Sequence, residues 1–321
     1  MARFMVERFL QAIPLIFGVT IITFVILQMA PGDPLDVMRD PLRTSTATLA
    51  KAEKELGFDQ PIHIQYLRWL KQLMQGNFGY SYLSGKPVTE LLSTRLPSTM
   101  VLACAALIIS YAVGIPIGVI SAIKRYSLMD RILTILSFGG ISVPNFFLCL
   151  AFVYIFSLKL RFFPTSGFGT LGVTLTGIDL WQDRLKYLVL PAVSLSIPAM
   201  AGIVRYTRSS MLDVLSEDYV RTARSKGLRE SVVIMKHALT NSLLPVITLF
   251  GLQFPMLFGG AFVVEYIFDW PGMGTLAVES VTYREYAIVM AINLISAWLV
   301  LGGSLVADLL YVMFDPRIRL D

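Results

Sequence analysis

The sequence predicts an all-α polytopic membrane protein, and three observations carry that reading. Hydrophobic residues fill 55% of the 321 positions and charged residues only 15%, where a water-soluble chain is about one-quarter charged. The mean hydropathy is +0.67. The apolar residues also gather into runs of the roughly 20 residues that a helix needs to cross about 30 Å of hydrocarbon. Backbone groups find no water partner in lipid, so each run is expected to be helical.

Six stretches qualify: Phe9–Met29, Met100–Ile123, Ile132–Leu158, Tyr187–Val204, Leu243–Phe268 and Ala287–Phe314. The first follows Arg3 and Arg8, as a signal peptide would. Its core is too long for a signal h-region of roughly 7–15 residues, and no small-x-small cleavage site follows it. It reads as a retained anchor. Glycine and proline punctuate the other five: Gly114/Pro116/Gly118, Gly139/Gly140/Pro144, Pro191/Pro198/Gly202, Pro245/Pro255/Gly259/Gly260 and Gly302/Gly303. Such residues let membrane helices bend or approach closely. The fourth stretch is the shortest of the set.

Orientation follows from the basic residues, which favour the cytoplasmic side of short loops. With the N-terminus inside, the inner pieces hold Arg3, Arg8, Lys124, Arg125, Arg131, the cluster from Arg205 to Lys236, Arg317 and Arg319. The short outer loops hold only Lys159, Arg161, Arg184, Lys186 and Arg284. A multi-pass protein of a bacterial-type cytoplasmic (inner) membrane with both termini cytoplasmic is expected. The net charge of +5 is then inner-loop charge and not a nucleic-acid footprint.

Between the first two stretches lies a polar insertion, 30–99, expected outside. It opens on Ala30-Pro31-Gly32-Asp33-Pro34 and carries helical patterns near Thr46–Leu56 and Ile62–Met74. In the second, Ile62, Tyr66, Trp69, Leu70 and Leu73 share one face. Gly76-Asn77-Phe78-Gly79-Tyr80 follows as a turn. The segment suits a cap over a pore mouth, a docking surface for an external partner, or a spacer that packs on the bundle.

The loop 205–242 between the fourth and fifth stretches is more informative. Arg205 to Leu215 extends the fourth helix, and Arg205 and Arg208 read as lipid-headgroup anchors. Glu217 to Lys226 forms a short helix with Glu217 and Asp218 at its start and Arg224 and Lys226 at its end, which complements the helix dipole. Gly227 stops it, as a C-terminal glycine should. Leu228, Val232, Met235 and Leu239, spaced 4, 3 and 4, mark the apolar face of a second short helix. This helix–Gly–helix elbow is either a lever gripped by a partner or a basic loop resting on headgroups.

Here the chain resembles the B-type transmembrane permease subunit of the dipeptide/oligopeptide/nickel ABC importers. Glu217-Asp218-Tyr219-Val220-Arg221-Thr222-Ala223-Arg224-Ser225-Lys226-Gly227-Leu228, followed by Asn241-Ser242-Leu243-Leu244-Pro245, is similar to that family's "EAA" loop. The acidic opening, the small residue Ala223 and the glycine match, whereas Thr222 and Arg224 stand where a second alanine is usual. Leu56-Gly57-Phe58-Asp59-Gln60-Pro61, Trp270-Pro271-Gly272-Met273-Gly274 and Asp315-Pro316-Arg317-Ile318-Arg319 also resemble family segments, so nearly the whole chain is covered. The resemblance implies a type I ABC importer permease fold of six transmembrane helices. It also implies pairing with a second homologous permease and two cytosolic ATPase subunits, and delivery of peptides by an extracytoplasmic substrate-binding protein. The coupling residues it implies are Glu217, Asp218, Tyr219, Ala223, Arg224, Lys226, Gly227 and Leu228. ATP and Mg would be held by the partner ATPases, with no cofactor on this chain, which has no Gly-Lys-Ser/Thr phosphate loop.

Within the apolar stretches, Glu265 and Asp308 are costly in a membrane and so are functional candidates. They either line the path or pair across the permease interface, or else Glu265 is exposed at the outer surface and Asp308 fixes packing. His63 and His237 lie in different compartments, so no metal site is expected. Cys104 and Cys149 read as packing residues. An ion-coupled secondary transporter of small solutes would need inverted repeats and midplane acids, and neither is seen. A membrane hydrolase would need a nucleophile–base pair, and none presents itself.

Overall fold

A computed structural model describes residues 2–30 and 59–314. The helix expected near Thr46–Leu56, most of the 30–34 and 56–61 motifs and the 315–321 tail lie outside the described residues. The helices are α1 (Ala2–Met29), α2 (Ile62–Met74), α3 (Val88–Ile123), α4 (Leu128–Ser142), α5 (Asn145–Phe152), α6 (Gly177–Leu215), α7 (Asp218–Ser225), α8 (Glu230–Val232), α9 (Thr240–Ile267), α10 (Met273–Thr282) and α11 (Tyr286–Phe314). Two π-helical segments, Val153–Lys159 and Val233–Leu239, continue α5 and join α8 to α9.

Among the described residues, Leu10–Met29, Val88–Ile123, Gly177–Leu215 and Tyr286–Val306 are long and apolar enough to cross a membrane. The third expected stretch is not one helix. It breaks between α4 and α5, and the two halves meet at 105°; counted together they make a fifth span. Pro144 is the cause: it offers no N–H and drives the residue before it out of the helical region, and Val143 stands at φ −82°, ψ 126°. The second stretch begins earlier than its apolar run, with α3 already helical at Val88. Pro191 and Pro198, by contrast, lie inside the continuous α6.

The chain divides into two compact units. One comprises Met1–Thr99 and Pro271–Leu301. In it α2 lies along α1: the Tyr66 hydroxyl meets Thr20 Oγ1 at 3.0 Å and the Gln28 amide donates to Gln65 at 2.9 Å. Tyr66, Trp69, Leu70 and Leu73 are half-buried as expected, while Ile62 is exposed. A turn at 80–87 is held by the buried Glu285, whose carboxylate accepts from the Ser81 hydroxyl and the Tyr82 and Leu83 N–H groups at 2.7–2.8 Å. An ionised carboxylate with three donors offsets much of its own desolvation cost.

The other unit comprises Met100–Trp270 and Gly302–Asp321. Its core gathers Leu102, Ala106, Cys149, Leu195, Val264, Phe268 and Trp270; Cys104, unlike Cys149, is exposed. Trp270 stacks edge-on to Phe168 at 4.8 Å. The small-residue pattern Gly114-Ile-Pro-Ile-Gly118 lets α3 and α6 touch backbone to backbone. A Cβ on Gly118 would lie 2.6 Å from Thr207 Cβ and 2.8 Å from the Val204 carbonyl oxygen. Only glycine fits there.

Candidate functional site

The elbow is the element whose parts the sequence singled out, and the structure brings them together. The chain leaves α6 at Leu215 and turns through Ser216, whose hydroxyl donates to the Asp213 carbonyl at 2.7 Å. Glu217 caps α7 in extended conformation, and its carbonyl accepts the Val220 N–H at 3.1 Å. Asp218 in the first turn and Arg224 in the last match the helix dipole. The chain then reverses at Gly227, where φ is +74°. That left-handed conformation costs an L-residue about 1–2 kcal/mol and glycine nothing comparable. Nothing stands within 4 Å of a Cβ placed there, so the glycine serves the backbone and not close packing.

Two contacts close the elbow. Inside it, Val220, Ala223 and Val233 are buried together, with Val214 and Leu215 packed on them. Burying a valine side chain is worth about 1.5–3 kcal/mol, so this small core joins α7 to the second limb and to the end of α6. Outside it, the Arg224 guanidinium reaches across the Gly227 reversal to Glu230, with Nη2 2.8 Å and Nε 3.2–3.3 Å from the carboxylate oxygens. That guanidinium holds the exposed Glu230 carboxyl below the usual carboxylate range.

The second limb departs from the expected stripe. Leu228, Val232 and Met235 are 41%, 38% and 60% exposed, while Val233 and Ala238 are buried. Leu228 precedes the helical residues of the limb and Val232 ends its short α-helical turn, whereas Val233–Leu239 is π-helical. Hydrogen bonds to i+5 widen that turn, and Val233 and Ala238, five apart, are its two buried residues. Ala238 packs with Val119, Ala122 and Met211, which seats the limb against the ends of α3 and α6. Leu239, the fourth residue of the apolar stripe read from the sequence, packs half-buried on that cluster, whereas the other three are exposed, as is Tyr219 at 42%.

Below the elbow, α6 is held by a contact that the sequence reading missed. Asp130, in the first turn of α4, is 3% exposed. Its carboxylate accepts Arg208 Nε at 2.8 Å and Nη2 at 2.9 Å, the Tyr126 N–H at 3.0 Å and the Ser121 hydroxyl. Arg208 is thus committed to an internal ion pair and is not a headgroup anchor. A signal existed: Asp130 is an acid inside the basic stretch Lys124–Arg131, where a buried partner is the reason for an acid to persist. Glu285 was missed likewise. Of the intramembrane acids, Glu265 is fully buried among the last turns of α9 and not exposed at a surface, while Asp308 is half-buried on α11. Neither lies on the elbow.

Comparison with known proteins agrees with this architecture. The family described as binding-protein-dependent transport system inner membrane component matches residues 114–320, and its N-terminal companion matches residues 1–103. The oligopeptide transport system permease protein AppB of Bacillus subtilis is 46% identical over 99% of this chain and 100% of its own. The di/tripeptide transport system permease protein DppB of Pseudomonas aeruginosa is 39% identical, and the glutathione transport system permease protein GsiC of Salmonella paratyphi A 37%, each over 99% of both chains. Among solved structures, an inward-facing MetNI methionine ABC transporter matches with a TM-score of 0.53 at 14% identity, over 69% of this chain and 97% of that one. An amino acid ABC transporter matches with a TM-score of 0.50 at 16% identity, over 70% and 94%. These last two show the shared fold. The chain belongs to the binding-protein-dependent transport system inner membrane component family and is a non-catalytic, multi-pass permease subunit of an ABC importer, working with other components of that importer.

Proposed function

We propose that this permease pairs with a second, homologous permease to form the path for di- or oligopeptides handed over by an extracytoplasmic binding protein. Two cytosolic ATPase subunits hold ATP and Mg and drive the cycle through the elbow. The relatives at 37–46% identity are named for oligopeptide, di/tripeptide and glutathione transport, which supports peptidic cargo. Six crossings place both termini and the elbow on the cytoplasmic side, in keeping with the basic residues of 205–236.

The observation that carries the coupling role is the two-sided build of the elbow. Its inner face is closed on Val220, Ala223 and Val233. Its outer face leaves Tyr219, Leu228, Val232 and Met235 exposed, with Glu217, Asp218 and Lys226 around them. An exposed apolar cluster rimmed by charge marks a protein-binding surface. Within this scheme Ala223 acts by closing the elbow, Gly227 by reversing it, Arg224 by latching it, and Tyr219 and Leu228 by touching the ATPase. Leu228→Asp in the assembled importer tests this. ATP hydrolysis stimulated by loaded binding protein, and peptide uptake into vesicles, should both be lost while the permease pair still inserts and assembles. Full stimulated hydrolysis in that variant would remove the elbow from the coupling path.

A further inference from the structure

A groove runs between α4 and α6 and changes character along its length. Its apolar part, about 250 Å³, is walled by Leu133, Leu136, Gly140, Ile197 and Met200. Its second part, about 240 Å³, adds Thr134, Phe138, Ile141, Arg205 and Ser209. The two share Ser137, Ala201 and Val204, so they form one continuous trough. Gly140 forms its floor at the apolar end, where α4 and α6 approach closely: a Cβ there would stand 2.9 Å from Ile197 Cγ2. From Ile197 to Ser209 the trough follows α6 for about 18 Å at 1.5 Å per residue, close to one leaflet's share, about 15 Å, of the hydrocarbon thickness.

Charge distinguishes the two arginines at the polar end. Arg208 is neutralised by Asp130 in a bidentate pair. Arg205 forms no ion pair among the described residues; its guanidinium sits 5.5 Å from the Tyr206 ring centroid. The trough therefore ends in one uncompensated cation beside the Ser209 hydroxyl, while the Thr134 hydroxyl is turned to Asp130 at 3.5 Å. A cationic, hydroxyl-bearing head site at the end of an apolar channel one leaflet long matches an anionic phospholipid in both shape and charge. A cargo peptide needs no such run of apolar wall.

We propose that this trough holds one anionic phospholipid, with an acyl chain along Leu136, Gly140 and Ile197 and the phosphate on Arg205. Its leaflet, the inner one, rests on the orientation proposed above; the binding itself does not. The bound lipid would fill the seam between α4 and α6 just below the elbow, making the stem of the coupling element sensitive to lipid composition.

The test uses the assembled importer in nanodiscs of phosphatidylglycerol or phosphatidylcholine, followed by gentle detergent release and native mass spectrometry. Wild type should retain one phosphatidylglycerol per copy of this chain and no phosphatidylcholine. Arg205→Gln should retain phosphatidylglycerol about tenfold more weakly, the factor for one charge-assisted hydrogen bond. Equal retention of both lipids, or no effect of Arg205→Gln, overturns the proposal. A second measurement needs no variant: phosphatidylglycerol carrying a photoreactive acyl chain should label peptides covering 133–141 and 197–204. Labelling only elsewhere, or protection of these peptides by the second permease or by cargo peptide, also overturns it. Because retention is read without transport, its failure leaves the coupling role untouched.

Discussion

Two arginine–carboxylate pairs of similar geometry flank the elbow, and their surroundings differ. Asp130 and Arg208 meet with side chains 5% and 28% exposed, whereas Glu230 and Arg224 meet at 57% and 42%. The first pair joins the α3–α4 turn to the stem of α6, and its carboxylate also accepts from Ser121, Thr134 and the Tyr126 N–H. The second bridges the Gly227 reversal in open water. Removing one partner of a buried pair leaves an uncompensated charge, at about 3–5 kcal/mol, while exposed pairs contribute little because solvent screens them. The same chemistry thus makes a fixed mount below and a light latch above. That division suits the coupling role proposed for the elbow.

The comparison breaks most visibly at the mount. Asp130→Ala should lower stability by about 3–5 kcal/mol, read as a large fall in thermal midpoint and in yield of assembled permease; removing both charges together, as Asp130→Ala with Arg208→Met, should restore much of it. Gly118→Ala attacks the same seam through sterics. It forces α6 away from α3 at Val204 and Thr207, and should cost about 1–3 kcal/mol with assembly still detectable. At the elbow, Gly227→Ala should cost about 1–2 kcal/mol, confined to α7. Hydrogen exchange should show α7 opening while α3 and α6 keep their protection. The latch should matter least. Glu230→Gln should leave the thermal midpoint within error and raise only local exchange around Gly227. Its pH dependence has a definite sign. Arg224 lowers the Glu230 carboxyl, so the latch is complete above the ordinary carboxylate range and is lost as pH falls through the lowered value. Exchange near Gly227 in wild type should therefore rise on acidification, and Glu230→Gln should abolish that rise.

An acidic change at Ala223 sharpens the other half of the contrast. Ala223 is 5% exposed inside the elbow, so a carboxylate there would be buried without a partner. ATPase association should fail because α7 detaches, not because a contact surface is altered. Tyr219→Asp, on the exposed face, should weaken association with α7 still protected from exchange.

Much of this was legible in the sequence, for physical reasons that also explain the gaps. Apolar runs long enough for lipid announce themselves, so the helical stretches were readable, as were the α2 face at Tyr66, Trp69 and Leu73 and the stop at Gly227. Pro144 was visible as punctuation, but the 105° bend was not, because proline signals a break without giving its angle; Pro191 and Pro198 lie within an unbroken helix. The apolar stripe of Leu228, Val232, Met235 and Leu239 holds only in part: Leu239 packs on the buried cluster and the other three are exposed, because the spacing assumes 3.6 residues per turn and Val233–Leu239 is π-helical. Asp130 and Glu285 escaped because their partners, Arg208 and Ser81 to Leu83, lie 78 and about 203 residues away, and no local pattern reports such a pairing.

The claim that the elbow's outward face seats the ATPase is tested most directly by site-specific cross-linking in the intact importer. A Leu228→Cys permease, with the exposed Leu67→Cys as the control from the other unit, is treated with a short thiol cross-linker in the presence and absence of ATP. Position 228 should join to the ATPase subunit, with a yield that changes on ATP binding, and position 67 should not. Cross-linking of the ATPase at position 67, or none at 228 in a complex that hydrolyses ATP, would contradict the account.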